Sequence, residues 1–206
     1  MKKQLIVAGI GTEIGKTFIS SILVEALQAD YWKPIQSGGL EFSDTDVVKS
    51  LISNKKSVFF PEAYRLNEPL SPHAAAALDG ITIELAQINL PQTNNNLIVE
   101  LAGGLMVPLN DNTLVIDLVQ KLGLPVVLVS KNYLGSINHT LLSIEALRAR
   151  NIAIEGIIFN GISNVSTESF ILNYAKVKCL GRIASQAEID QATVLKLANS
   201  LADNGL

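Results

Sequence analysis

Between a short apolar run, Leu5–Ala8, and a helical pattern opening at Lys16 lies Gly9-Ile10-Gly11-Thr12-Glu13-Ile14-Gly15-Lys16-Thr17. No other segment restricts the possible folds as much. A helix start carries unpaired N–H groups and about half a positive charge. Glycines let the backbone wrap closely around phosphate oxygens. In a strand–loop–helix setting, a Gly-Lys-Thr ending reads as a phosphate-binding loop. Lys16 offers a point charge to the β- and γ-phosphates, and the Thr17 hydroxyl is an oxygen ligand for Mg²⁺. Gly15 lies six positions after Gly9, one more than the common spacing. Either the loop is one residue longer than usual, or Gly11 takes over part of the role of Gly9.

The rest of the chain repeats the alternation. Apolar, β-branched runs occur at Tyr31–Lys33, Leu97–Leu101, Val126–Val129, Ile154–Phe159 and Cys179–Ile183. They lack polar alternation, as strands buried on both faces do. Helical patterns occupy Lys16–Gln28, Asp46–Ile52, Leu114–Leu122, Ile137–Arg150, Thr167–Val177 and Glu188–Leu201. The order predicts an α/β fold: a single P-loop NTPase-like domain over residues 1–206, with a mostly parallel β-sheet and helices on both faces. Right-handed crossovers then bring the ligand-carrying strand ends to one edge. At roughly 150 residues per domain, 206 residues suit one domain, and 48% apolar residues are ample for its core.

Composition excludes several functions. A net charge of −3 and the absence of a basic stretch argue against a nucleic-acid partner. The N-terminal apolar run is too short for a membrane span and leads into the loop rather than a cleavage site. No membrane partner is expected, and the location is expected to be cytoplasmic. The single cysteine, Cys179, fits a reducing compartment and reads as a core residue. His73 and His139 belong to no Cys/His cluster, which speaks against zinc. Only 17% of residues are charged, and the mean hydropathy is +0.32. Both values suggest that a second subunit covers apolar surface.

Four further blocks follow the loop: Tyr31-Trp32-Lys33-Pro34-Ile35-Gln36-Ser37-Gly38, Leu70-Ser71-Pro72-His73, Val99-Glu100-Leu101-Ala102-Gly103-Gly104 and Leu134-Gly135-Ser136-Ile137-Asn138-His139. With Thr12-Glu13 inside the loop, these resemble the dethiobiotin synthetases in kind and order, from about residue 4 to about residue 160. The resemblance implies an ATP- and Mg²⁺-dependent ligase of biotin biosynthesis. One amine of 7,8-diaminononanoate attacks CO₂ to give a carbamate. The carbamate takes the γ-phosphoryl group of ATP, and the second amine closes a cyclic urea with release of phosphate.

The residue types suit that chemistry. Carbamate and carbamoyl phosphate are anions that need fixed positive charge and N–H donors in a dry site. Lys16 and Lys33 supply two charges at strand ends, and nearby cations discourage protonation of the attacking amines. Carried over position by position, the resemblance implies catalytic roles for Lys33, Lys16, Thr12 and Glu13. It implies nucleotide contacts at Glu13, Ile14, Gly15, Lys16, Thr17, Phe18, Asp46, Glu100, Leu101, Ala102, Gly103, Asn160 and Gly161. Ser37, Gly104 and Asn138 are implied in substrate binding. Asn138 is expected to act from a partner subunit, in a homodimer whose substrate sites are shared.

For Mg²⁺, Thr17 and Glu100 are expected ligands, because an unpaired carboxylate ending a buried strand is costly. Asp46, just before Val47-Val48, is chosen as the third. Asp44 competes, and either acid also suits a helix start. Three departures stand out: Leu101 replaces a family glycine, Gly161 a family aspartate, and Arg182-Ile183-Ala184-Ser185 lacks the usual proline. Leu101 is poorly suited if that position needs positive φ. Asn160 resembles the residue that reads adenine in the family, although Asn160-Gly161 is also a plain turn signal. The competing readings are a partition- or switch-type P-loop ATPase, an amidating ligase domain related to cobyrinate synthases, for which the chain is short, and a catalytically silent nucleotide-binding domain. The first commonly carries an additional lysine near the loop's start, and here no loop lysine precedes Lys16.

Overall fold

The computed structural model describes residues 2–203. Its strands are β1 (Gln4–Gly9), β2 (Asp30–Trp32), β3 (Ile35–Ser37), β4 (Phe59–Phe60), β5 (Tyr64–Leu66), β6 (Leu97–Gly104), β7 (Pro108–Asn110), β8 (Thr113–Leu114), β9 (Val126–Lys131), β10 (Ile154–Asn160) and β11 (Cys179–Ile183). The α-helices are α1 (Lys16–Leu27), α2 (Asp44–Leu51), α3 (Pro72–Leu78), α4 (Val115–Leu122), α5 (Ser136–Ala149), α6 (Val165–Ala175) and α7 (Gln191–Asp203).

Seven strands form the central sheet in the order β11-β10-β9-β1-β6-β2-β4. Every neighbouring pair is parallel. The period of two within each strand divides the core into two layers. Leu5 and Val7 pack with Ile22 of α1, Val48 of α2 and Val194 of α7. Ile6 and Ala8 face the other way, against Val119 of α4, Leu147 of α5 and Ile171 of α6. The same alternation in β6 turns Ile98 to the α1 side and Leu97, Val99 and Leu101 to the α4 side. Glu100, in phase with Ile98, therefore emerges beside α1.

Register sets the height of each functional group. Val7 lies opposite Glu100 across the β1–β6 pair. Tyr31 and Trp32 lie opposite Ile98 and Val99. Lys33, the next residue after β2, thus leaves the sheet level with Glu100.

The elements that sequence patterns miss are short ones. β3–β5 and the β7–β8 hairpin have strands of two or three residues, too few to show a period. Helix α3 starts with Pro72 at its first turn and continues through four alanines, which favour helix but give no apolar contrast. Cys179 is half-buried at the sheet edge rather than in the core, because β11 is the last strand.

Candidate active site

The loop leaves β1 at Gly9 and folds back on itself. Ile14, 3% exposed, is its hydrophobic anchor. A Cβ at Gly9 would lie 2.5 Å from Ile14 Cδ1, so any larger residue there would have to displace the Ile14 side chain. Glu13 (φ 56°) and Gly15 (φ 89°) take left-handed conformations that turn the chain into α1. Gly15 is the N-cap of α1, and no side chain caps that end. The first N–H groups of the helix are therefore left for a ligand. Lys16 curls back over the loop, its Nζ donating to the Gly11 carbonyl at 2.9 Å. Gly9 thus makes the close approach to Ile14, and the backbone carbonyl of Gly11 meets the lysine.

Next to the loop lies a cluster of opposite charges. Glu100 is fully buried. Its Oε1 accepts from Thr17 Oγ1 at 2.8 Å and Lys33 Nζ at 3.0 Å, and its Oε2 from the Tyr31 hydroxyl at 3.0 Å. Asp44, the first residue of α2, places Oδ2 2.6 Å from Lys33 Nζ and Oδ1 3.2 Å from Thr17 Oγ1. Thr17 has one hydroxyl proton and serves one of these carboxylates at a time.

The electrostatics follow from burial and pairing. Burial lowers the Lys16 ammonium to about 8; Glu100 and Asp44 oppose this and Lys33 adds to it. For Lys33, burial also favours the neutral form, but Glu100 and Asp44 outweigh it and hold the ammonium above its ordinary range. For Asp44, burial favours the acid, but Lys33 outweighs it and keeps the carboxyl ionised below its usual range. Burial, followed by the charge of Glu100, keeps the Tyr31 hydroxyl neutral. The site thus combines one firmly held ammonium with one that gives up its proton more readily than an ordinary lysine.

These groups face a cavity of about 680 Å³. Of the expected residues, Thr12, Glu13, Gly15, Lys16, Thr17, Lys33, Ser37, Glu100, Ala102 and Gly103 line it. Ser37 Oγ and Gln36 Oε1, on residues of its wall, have no hydrogen-bond partner. Gly104 lies beside it, where a Cβ would stand 3.5 Å from Gly11 Cα. Phe18 packs half-buried against the core on the α1 side. Asn160 reaches the loop from β10, donating from Nδ2 to the Ile14 carbonyl at 2.8 Å. Gly161 follows with φ 96°, against Lys131.

Several expectations are corrected. Asp46 does not enter the cluster. It is the third residue of α2, and its Oδ2 accepts from Ser43 N at 2.9 Å and Ser43 Oγ at 2.7 Å in a capping box. The helix begins two residues earlier than its apolar pattern suggests, and Asp44 faces Lys33 and Thr17. Leu101 points away into the α4-side core, 1% exposed, without positive φ. A leucine suits that position, and it is not among the residues lining this cavity. Asn138, expected to act from a partner subunit, is not corrected: on its own chain it lines a different cavity, with Tyr133 and Leu134. His73 and His139 pair locally with Ser71 and Tyr133. Tyr31 was missed as a site residue. Its signal is the strand period, which places it on the same face as Lys33.

Comparison with known proteins agrees with this architecture. A family model described as an AAA domain matches residues 3–193. Among solved structures, the septum site-determining protein MinD with Mg-ADP from Pyrococcus horikoshii superposes with a TM-score of 0.60 at 12% identity. It covers 98% of this chain and 96% of its own. A ParA family ATPase from Chlorobium tepidum gives 0.59 at 12%, covering 100% and 93%. At that identity the likeness concerns the fold alone. Closer relatives are named ATP-dependent dethiobiotin synthetase BioD. The Christiangramia forsetii protein is 54% identical, covering 96% of this chain and 95% of its own. The Cytophaga hutchinsonii protein is 48% identical, covering 99% and 98%. The Brucella ovis protein is 45% identical, covering 99% and 95%. With identity of that order along nearly its whole length, the chain belongs to the ATP-dependent dethiobiotin synthetase family.

Proposed function

We propose that the chain performs the reaction for which its family is named. It joins CO₂ to 7,8-diaminononanoate at the expense of ATP and closes the ureido ring of dethiobiotin. The observation that carries this reading is the convergence of Lys16 and Lys33 on one cavity, beside a glycine loop and a buried carboxylate. A simple nucleotide switch needs the loop lysine; a second, buried ammonium beyond it suits an anionic reactant.

The N–H groups opening α1 cradle the phosphates, and Lys16 leaves the Gly11 carbonyl to meet them. Lys33 stays charged and stabilises the carbamate and the anhydride formed from it. Ser37, with its hydroxyl unpartnered, contacts the diamine, and Thr12 and Glu13 line the substrate side of the loop.

Thr17, Asp44 and Glu100 would hold Mg²⁺. Their donors are all hard oxygens, two of them on carboxylates, as this ion prefers. Bound there, the ion would neutralise phosphate charge and polarise the terminal phosphoryl group.

Asn138 serves the site from a second copy of the chain, since on its own chain it faces a separate cavity. Exposed Leu134, Leu142 and Met106 give such a dimer apolar surface to bury. Among the described residues no helix is long and apolar enough to cross a membrane, and we assign the enzyme to the cytoplasm.

The test is an assay with diaminononanoate, bicarbonate, ATP and Mg²⁺ that follows ADP and ureido product together. Stoichiometric, diamine-dependent formation of both is expected. ADP released at the same rate without diamine would instead favour a switch ATPase.

A further inference from the structure

Asn160 closes β10, between Lys131 of β9 and Ile183 of β11. The Gly161 N–H donates to the Ile183 carbonyl at 2.8 Å. The side chain of Asn160 therefore leaves a fixed strand end. It spans 146 positions of sequence to donate from Nδ2 to the Ile14 carbonyl at 2.8 Å. A carbonyl only accepts, so the amide nitrogen must face Ile14. Ile14 is itself held, buried and packed over Gly9.

The Ile14–Gly15 peptide is trans and planar, so its C=O and N–H point in opposite directions. Fixing the Ile14 oxygen aims the Gly15 N–H, the first donor of the cradle. The fit leaves no slack: a Cβ on Gly15 would lie 2.2 Å from Asn160 Nδ2. The amide fills the space that a side chain would need.

We propose that Asn160 is a positioning residue for the phosphate loop, orienting the Gly15 N–H whether or not a base is bound. The proposal rests on the nucleotide reading above and extends it. A residue at the base end of the site sets the shape of the phosphate end, so the two ends of the nucleotide are sensed through one side chain.

A probe without a base isolates this role. Calorimetry with Mg²⁺ and inorganic tripolyphosphate would compare the wild-type protein with Asn160→Ala. Loss of one aligned donor should weaken tripolyphosphate about tenfold, and ATP by at least that factor. Amide hydrogen exchange of the ligand-free proteins should be faster in the variant over residues 9–17 and unchanged in the central strands.

Equal tripolyphosphate affinity in both proteins would overturn the proposal, because Asn160 would then act on the base alone. Unchanged exchange at the loop, or faster exchange throughout the sheet, would overturn it as well. Should the alanine variant not fold, Asn160→Ser carries the same comparison. A wild-type protein that takes up no tripolyphosphate would overturn the phosphate-loop reading itself, and the exchange comparison would then decide the proposal alone.

Discussion

Replacing Lys33 with methionine keeps most of the length of the side chain and removes its charge. Lys33 Nζ sits between two carboxylates, 2.6 Å from Asp44 and 3.0 Å from Glu100. Removing one partner of a buried pair costs about 3–5 kcal/mol. Two features place this case at the lower end of that range. Glu100 keeps its donors Thr17 and Tyr31, and the Asp44 side chain is 35% exposed, so water replaces part of what it loses.

The expected loss is therefore about 3 kcal/mol, or a melting point lowered by about 6–12 °C for a domain of this size. Urea denaturation and thermal melting would measure it. Turnover should fall by about a hundredfold to a thousandfold, as for loss of a preorganised charge donor. Adding Glu100→Gln should recover part of the stability, because the stranded charge is gone, while turnover stays low. A single variant within about 1 kcal/mol of wild type would show that the pair is solvated rather than buried, and the electrostatic account of the site would fail.

Asp44→Asn should raise the Mg²⁺ concentration needed for half-maximal rate, whereas Asp46→Asn should leave it in place and cost about 1 kcal/mol of stability through the lost cap; the reverse pattern in a Mg²⁺ titration would restore Asp46 as the ligand. Leu101→Ala should cost about 2–5 kcal/mol as a core truncation yet keep kcat in the folded fraction. A selective loss of turnover would place Leu101 in the site after all. Glu25 accepts hydrogen bonds from the backbone and side chains of Ser53 and Asn54. Burial raises its proton affinity, but these bonds outweigh burial and hold the carboxyl below its usual range. Its contribution is therefore full above the unfolded-state value and fades as pH falls through the lowered folded-state value. Glu25→Gln should cost about 2 kcal/mol at pH 7 and flatten the acid side of the stability profile, as read from urea midpoints between about pH 3 and 7.

Reading residues in order was enough to find the phosphate loop, the parallel sheet and most helices. Strand burial, helix period and the Gly-Lys-Thr junction are properties of neighbours in sequence. They survive without knowledge of the packing. Lys33 and Glu100 are singled out by the blocks that resemble the family, and Glu100 lies within β6 rather than at its end. Local logic failed where a choice depended on distant partners. Asp44 and Asp46 differ by two positions, and only the capping box formed by Ser43 turns one outward and leaves the other facing Lys33. Leu101 looked unsuited until the phase of β6 turned it into the opposite core layer. Tyr31, Thr17 and Glu100 meet across separations of 69 and 83 residues, and Asn160 reaches the loop across 146. Such meetings depend on strand register, and register is settled by the burial of whole faces at once. No stretch of neighbouring residues carries that information.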